Sequence, residues 1–333
     1  MQSVKDFDVE KKRILVRCDF NIPLDKEGNI LDDTKIREAL PTLQYLLDKN
    51  AKIVIITHLG DGNEILDGVV AQVTELLGQP VKKIGNFEIP NDQIVMLENI
   101  RSHKEETDNE EGFAKQLAAL GDIYINEAFD VCHRAHASVV GIPKFLPHGA
   151  GFALEKEVGV LSQIMQHPER PMIAIIGGAK AETKVQFVDA FCAFADVVIV
   201  SGLIKQELVV KKIPLKDPEK VLGPKQALTS LDLAPEDIQR ITDAIMKAKT
   251  VCWNGPFGKI EDPQYTHGTR AIAKAIIESG AYSVVGGGET VEFLHKEGIL
   301  GKFSHVSTAG GAMLEFLSGQ QLPGLKALGY YET

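Results

Sequence analysis

Short, apolar, β-rich runs recur along the chain with helical patterns between them, and this rhythm constrains the fold more than any other feature of the sequence. The runs are Arg13–Arg17, Lys52–Thr57, Ile94–Leu97, Asp122–Ile125, Met172–Ile176, Val197–Val200, Thr250–Trp253, Ser283–Val285 and Ser304–Ser307. Most lack alternation between apolar and polar residues, as strands do when helices cover both faces. The expected fold is therefore a parallel α/β protein. Between the runs, Pro235–Ala248 reads as a helix: Pro235 sits in the first turn, Glu236 and Asp237 suit the N-terminal dipole, and Ile238, Ile241 and Ile245 share one face.

Ligands of open parallel sheets bind beyond the carboxyl ends of the strands, so the residues just past each run are informative. The first four runs lead into Cys18-Asp19-Phe20-Asn21, His58-Leu59-Gly60-Asp61, Glu98-Asn99-Ile100-Arg101 and Asn126-Glu127-Ala128-Phe129, the last succeeded by His133-Arg134-Ala135-His136. These ends are charged or polar. The later runs lead into Gly177-Gly178-Ala179-Lys180, Ser201-Gly202, Asn254-Gly255-Pro256, Gly286-Gly287-Gly288 and Thr308-Ala309-Gly310-Gly311. Those ends are glycine-rich. With 333 residues the chain has room for two domains. The simplest division gives one domain that offers side chains to a small anion and one that offers backbone to a nucleotide. Residues 151–167, helical in pattern and trailed by Pro168 and Pro171, would join them.

A formal charge of −10 argues against broad binding to nucleic acid or to anionic membranes, so an anionic ligand must meet a local basic patch. Cys18, Cys132, Cys192 and Cys252 lie far apart without a Cys-x-x-Cys pair, which suggests neither a zinc knuckle nor a disulfide framework. The first residues lack the apolar core of a signal peptide, and no run of 18 apolar residues is present. A cytoplasmic, reducing setting is the expectation.

Lys180 and Lys184 stand four apart after a double glycine, where a helix starting at that point would put two ammonium groups near its positive end. They read either as a phosphate grip or as two solvated lysines. Neither the P-loop pattern nor Gly-x-Gly-x-x-Gly occurs, so any nucleotide is held in another way. His133 and His136, with His58, are open to a zinc reading, but no cysteine or carboxylate stands at matching spacing and an anion-binding loop fits better. Cys132 lacks an orienting group for nucleophilic work and reads as a buried thiol. Arg17, Arg101 and Arg134 each lie at or beyond a strand end, as groups for bidentate carboxylate or phosphate recognition would.

In these residues the chain resembles the phosphoglycerate kinase family from end to end. The resemblance is carried by Arg17-Cys-Asp19-Phe-Asn21-Ile-Pro23, Asp32-Asp-Thr-Lys35-Ile-Arg37, His58-Leu-Gly60, Leu97-Glu-Asn-Ile-Arg101 and His133-Arg-Ala-His-Ala-Ser138. It continues with Gly177-Gly-Ala-Lys180, Trp253-Asn-Gly-Pro256, Gly286-Gly-Gly-Glu-Thr290, Ser307-Thr-Ala-Gly-Gly-Ala312 and Leu322-Pro-Gly324. It implies a pair of Rossmann-like domains with parallel sheets, residues 1–150 for the glycerate or acyl phosphate and 168–313 for the nucleotide, joined by the 151–167 helix and a hinge. Residues 314–333 would return to the first domain. The implied activity is reversible, magnesium-dependent phosphoryl transfer from 1,3-bisphosphoglycerate to ADP by a monomer, with no nucleic-acid or membrane partner. By matching position, Arg17, Asp19, Asn21, His58, Arg101, Arg134 and His136 would hold the glycerate. Lys180, Lys184, Asn254, Thr290, Gly287, Gly288, Gly310 and Gly311 would hold the phosphates, with Glu261 at the ribose and Glu289 at Mg²⁺. Lys35, Lys180 and Thr290 would serve the transfer itself.

This chain departs from the family pattern near those residues. Lys35 stands for an arginine, Asp61 for an arginine, Asp130 for a glycine, Thr183 for an aspartate, Glu289 for an aspartate, and Ser201-Gly202-Leu203 for a glycine triplet. Between Val200 and Thr250 a strand-and-helix segment lacks a counterpart, so a second domain reduced by one strand is expected. These departures leave two other readings open: a kinase for another small carboxylate, and a non-catalytic nucleotide-binding homologue.

Overall fold

Both sheets are built wholly from parallel strands, which explains why their sequences are continuous apolar runs. The structure, a computed structural model, describes residues 1–225 and 228–332. The chain divides into two compact units, Met1–Val158 with Gln321–Thr333, and Gly159–Gln320.

In the first unit, β1 (Arg13–Arg17), β2 (Lys52–Ile56), β3 (Lys82–Ile84), β4 (Ile94–Leu97), β5 (Ile123–Asn126) and β6 (His148–Ala150) form one sheet in the order β3-β4-β2-β1-β5-β6. Arg17 aligns with Ile56 on one side and Asn126 on the other, so the residues after these three positions leave the sheet at one level. That level carries Asp19, His58 and Glu127. The helix Thr34–Asp48 covers one face and buries Ile36, Leu43 and Leu46 with Ile14, Val16, Ile53 and Ile55 of the strands. Each such side chain contributes about 1.5–3 kcal/mol when removed from water.

In the second unit, β7 (Met172–Ile176), β8 (Val197–Val200), β9 (Val221–Leu222), β10 (Thr250–Asn254), β11 (Tyr282–Gly286) and β12 (His305–Val306) are ordered β12-β11-β10-β7-β8-β9. Asn254 aligns with Ile176 and Gly286, and the next residue is glycine in all three strands: Gly177, Gly255 and Gly287. Trp253, the single tryptophan, is fully buried in a core with Ile175, Ile199, Ile241 and Val285.

Three strands lie outside the sequence expectation, and all three are edge strands: β3, β6 and β9. Edge strands are paired on one side only and need no continuous apolar run. Consequently the second sheet is not one strand short. The two residues of β9 supply its sixth strand, after a helix Gly202–Val210 that the lysine-rich sequence conceals. The helix expected over Pro235–Ala248 ends at Ile245, and the helix Phe152–Gln166 carries the chain from the first unit into the second. Among the described residues no helix is long and apolar enough to cross a membrane.

Candidate functional site

Arg17 ends β1 fully buried, and its guanidinium is anchored on several sides. Nε donates to Ser138 Oγ at 2.9 Å, one terminal nitrogen donates to the Cys18 carbonyl, and the other lies 3.2 Å from His58 Nδ1. Ser138 is itself held by Glu106, to which it donates from Oγ at 2.6 Å and from its backbone N–H at 2.8 Å. Burial, and then the charge of Arg17, hold the His58 imidazole far below its ordinary range. His58 is therefore neutral, with Nδ1 accepting from Arg17 and the proton on Nε2.

Arg101 comes after β4 in a short turn and donates to the Gly60 carbonyl at 3.0 Å, while the Gly60 N–H donates to Asn21 Oδ1 at 2.9 Å. Asn21 and Arg101 thereby grip the same turn. Burial, and after it the charge of Arg17, depresses the Arg101 guanidinium, with Arg134 adding to the effect. His136 is pushed down to about 4, by burial first and then by Arg101, Arg17 and Arg134. Arg134 itself is exposed. His58 Nε2, Arg101 Nε, His133 Nδ1 and His136 Nδ1 are buried without a hydrogen-bond partner among the described residues. Unsatisfied buried groups cost about 1–3 kcal/mol each, so a crowd of them among mutually repelling cations is the signature of an anion site.

Lys35, in the first turn of the Thr34–Asp48 helix, lies between two carboxylates: Nζ is 2.5 Å from Asp19 Oδ2 and 3.1 Å from Asp130 Oδ2. Burial opposes charge on Asp19, yet the Lys35 ammonium holds this carboxyl well below the usual range. Asp130 goes the other way, up to about 6, through burial and the neighbouring Asp19. Asp61 is exposed and stands outside this network. All seven residues expected for the acid thus lie in the first unit, six of them bonded or electrostatically coupled around Arg17 and Arg101, with Asn21 tied in through Gly60. Nothing in the sequence marks Glu106 or Ser138 as their support.

In the second unit the glycine turns are knitted together by side chains. Gly177 N–H donates to the Asn254 carbonyl at 2.8 Å, Gly255 N–H donates to Thr290 Oγ1 at 3.0 Å, and Asn254 Nδ2 donates to the Gly310 carbonyl at 3.2 Å. A Cβ on Gly310 would lie 3.5 Å from the Gly287 Cα, so the two glycine segments are neighbours. Gly178 and Gly287 have φ of +98° and +92°, a region that side chains disfavour. Asn254 and Thr290 are buried and committed to these turns. Thr290 Oγ1 accepts from Gly255, which leaves its hydroxyl proton free to donate. Lys180 precedes a helix of only four residues, Ala181–Lys184, and is exposed, whereas Lys184 bends back to donate to the Gly177 carbonyl at 2.7 Å. The two lysines do not form the paired helical face expected. Burial, with Lys180 adding to it, depresses the Lys184 ammonium against the opposing pull of Glu289.

Gly288 and Glu289 open the helix Gly288–Lys296 and are exposed, as is Gly311 at the start of Gly311–Leu317. A Cβ on Gly178 would stand 3.7 Å from Glu289 Oε2, so this carboxylate borders the glycine turn. One hard oxygen donor beside a bare glycine turn fits Mg²⁺, which commonly takes one or two carboxylates and fills its shell with phosphate oxygens and water. A cavity of about 350 Å³ adjoins, with Gly178, Glu289, Ser201, Leu231, Phe257 and Glu261 in its wall.

A parallel α/β unit with converging cations, and a second with bare glycine turns, lysines and a nucleotide-sized cavity, define an enzyme of the phosphotransferase class. The profile of the family described as "Phosphoglycerate kinase" matches residues 4–213 and 210–320. The chain is 36% identical over 388 aligned positions to the phosphoglycerate kinase of Pelotomaculum thermopropionicum, with 98% of each covered. It is 38% identical over 389 positions to that of Dictyoglomus turgidum, covering 98% of this chain and 97% of the relative. The solved phosphoglycerate kinases of Coxiella burnetii (TM-score 0.84, 30% identity) and Pyrococcus horikoshii OT3 (TM-score 0.87, 28% identity) each align over 100% of both chains. The chain belongs to the phosphoglycerate kinase family. These alignments are longer than its 333 residues, so the relatives carry residues that it lacks, and the profile match breaks at 210–213, where the Gly202–Val210 helix ends.

Proposed function

We propose that the protein catalyses reversible phosphoryl transfer from 1,3-bisphosphoglycerate to ADP, giving 3-phosphoglycerate and ATP with Mg²⁺. The observation that carries this reading is the crowd of cations and unpartnered buried nitrogens around Arg17 and Arg101 in a chain of this family. Arg17, His58, Arg101, Arg134 and His136 would hold the acid, and Asp19 and Asn21 would position it. Lys35 would meet its reacting end. In the second unit the N–H groups of Gly287, Gly288, Gly310 and Gly311, with Lys180 and Lys184, would hold the nucleotide phosphates, and Glu261 on the cavity wall would meet the ribose. Glu289 would hold the metal, which supplies charge neutralisation across the phosphates. Such transfer needs placement and electrostatic stabilisation but no covalent intermediate, which suits a site of cations and backbone donors. Exclusion of water would come from hinge closure, to be read as a ligand-dependent fall in radius of gyration.

The deciding experiment is an assay of ATP formation from ADP and 1,3-bisphosphoglycerate. Turnover that requires Mg²⁺ is expected; a folded sample that forms no ATP overturns the proposal. Glu289→Ala should weaken Mg²⁺-ADP binding while leaving binding of 3-phosphoglycerate unchanged. Unaltered magnesium dependence would move the metal to another residue.

A further inference from the structure

Lys35 carries a single ammonium on a flexible stem, and the structure gives it two carboxylate partners. Asp19 extends from the end of β1, Asp130 from the loop after β5, and Lys35 from the helix between β1 and β2, so three separate elements meet at one Nζ. One positive charge cannot neutralise both carboxylates. Asp19 lies closer and is held ionised, and the Asp19 and Asp130 carboxyls are near enough to share a hydrogen bond. The other titratable or charged groups around this trio are His58 and Arg101, which interact with Asp19, Arg17 behind His58, and His133 and Cys132 beside Asp130. His133 and His58 are held neutral, both by burial first. With no second cation supplied to it, Asp130 is the member of the trio that can change charge near neutrality.

We propose that Asp130 is a positioning residue that restrains the Lys35 ammonium against Asp19 and releases it to the anionic end of the substrate on taking a proton from solvent. The inference rests on the proposed acid site in the first unit. An arriving carboxylate or acyl phosphate brings negative charge beside Asp130. That charge disfavours the Asp130 carboxylate and competes for the ammonium, so both effects drive proton uptake. Asp130 is only partly exposed, with 22% of its side chain accessible, which lets the proton in while keeping the interaction strong. Asp19 stays ionised throughout and remains the anchor to which Lys35 returns after product leaves. The arrangement couples ligand binding to protonation through a lysine.

The test is titration calorimetry of 3-phosphoglycerate binding to the full chain at pH 7, repeated in buffers of different ionisation enthalpy. Wild type should take up a fraction of a proton per ligand beyond that taken up by Asp130→Asn. In parallel, kcat/KM of the two should coincide at pH 5.5, with wild type falling about threefold to tenfold below Asp130→Asn by pH 7.5. A merely structural Asp130 would lower thermal stability or turnover in the variant without altering the proton count, and equal proton counts overturn the proposal. Asp130→Ser serves where Asp130→Asn fails to fold, and Asp130→Glu should restore the proton uptake. Wild type that does not bind 3-phosphoglycerate at all would refute the proposed acid site, a result distinct from binding with no dependence on Asp130.

Discussion

At the level of single residues, the anion site is a collection of groups that need a ligand more than they need one another. Arg17 is the most committed of them, since Ser138, Cys18 and His58 take three of its five N–H donors, and its removal would leave Ser138 without its outward partner. Arg101 is the better probe because among the described residues its Nε is unpartnered, and its NH1 donates only to a carbonyl. Arg101→Ala should raise KM for 3-phosphoglycerate by about tenfold to a hundredfold, the loss of one charge-assisted contact, and leave KM for ATP within twofold. Equal effects on both substrates would mean that the residue acts through folding. His136 offers a spectroscopic check. Its imidazole is pushed down to about 4 by burial first, so its NMR shift should be flat from pH 6 to 8, and a bound anion should move the titration upward. The sequence made these cations legible because charged residues at strand ends are conspicuous. It concealed their support: Glu106 is fully buried under Ser138 while its neighbour Glu105 is exposed.

Among the elements, the strand ends set the level at which each site forms, and the helices set what is buried beneath it. Glu127 comes directly after β5 and is enclosed by Thr42 of the Thr34–Asp48 helix and by the start of the Phe152–Gln166 helix. Its Oε1 accepts from Thr42 Oγ1 at 2.7 Å and from Ala153 N–H at 3.1 Å, while Oε2 has no hydrogen-bond partner among the described residues. Burial pushes this carboxyl from 4.5 up to about 8 against those hydrogen bonds. The native state therefore keeps a proton that the unfolded chain has released, so Glu127 costs stability increasingly as pH rises from 4.5 to about 8. Glu127→Gln should raise the melting temperature at pH 8, change it little at pH 4.5, and flatten the slope between. A slope identical to wild type would show that the carboxyl is ionised throughout. Central strands were legible from their apolar runs, whereas Lys82-Lys83-Ile84, His148-Gly149-Ala150 and Val221-Leu222 were not. At a sheet edge, pairing is decided by the neighbouring backbone, and side chains carry little of the signal. The Lys180–Lys184 segment was opaque for a related reason, because a helix that closes after one turn leaves no periodicity to detect.

For the whole molecule, the first unit is discontinuous in sequence. Leu322, Leu325 and Leu328 from the Gln321–Thr333 stretch are buried within it, and Gly324 N–H donates to the Cys132 carbonyl at 2.8 Å. Gly324 also packs closely on Cys132 and Val139. The stretch between those two residues carries His133, Arg134, His136 and Ser138. Truncation after Gln320 should lower the melting temperature of the first unit and weaken 3-phosphoglycerate binding, while the second unit still binds Mg²⁺-ADP. Differential scanning calorimetry with each ligand separates the two effects, and loss of ADP binding would refute this division of labour. The same connectivity orders events on the ribosome. Translation delivers the strands of the first sheet early, then every residue of the second unit, and only afterwards the brace for the loop that bears Arg134 and His136. On the proposed function, a nascent chain would complete its nucleotide half before the acid half, and a message interrupted just before the brace would yield a nucleotide binder rather than a weak enzyme.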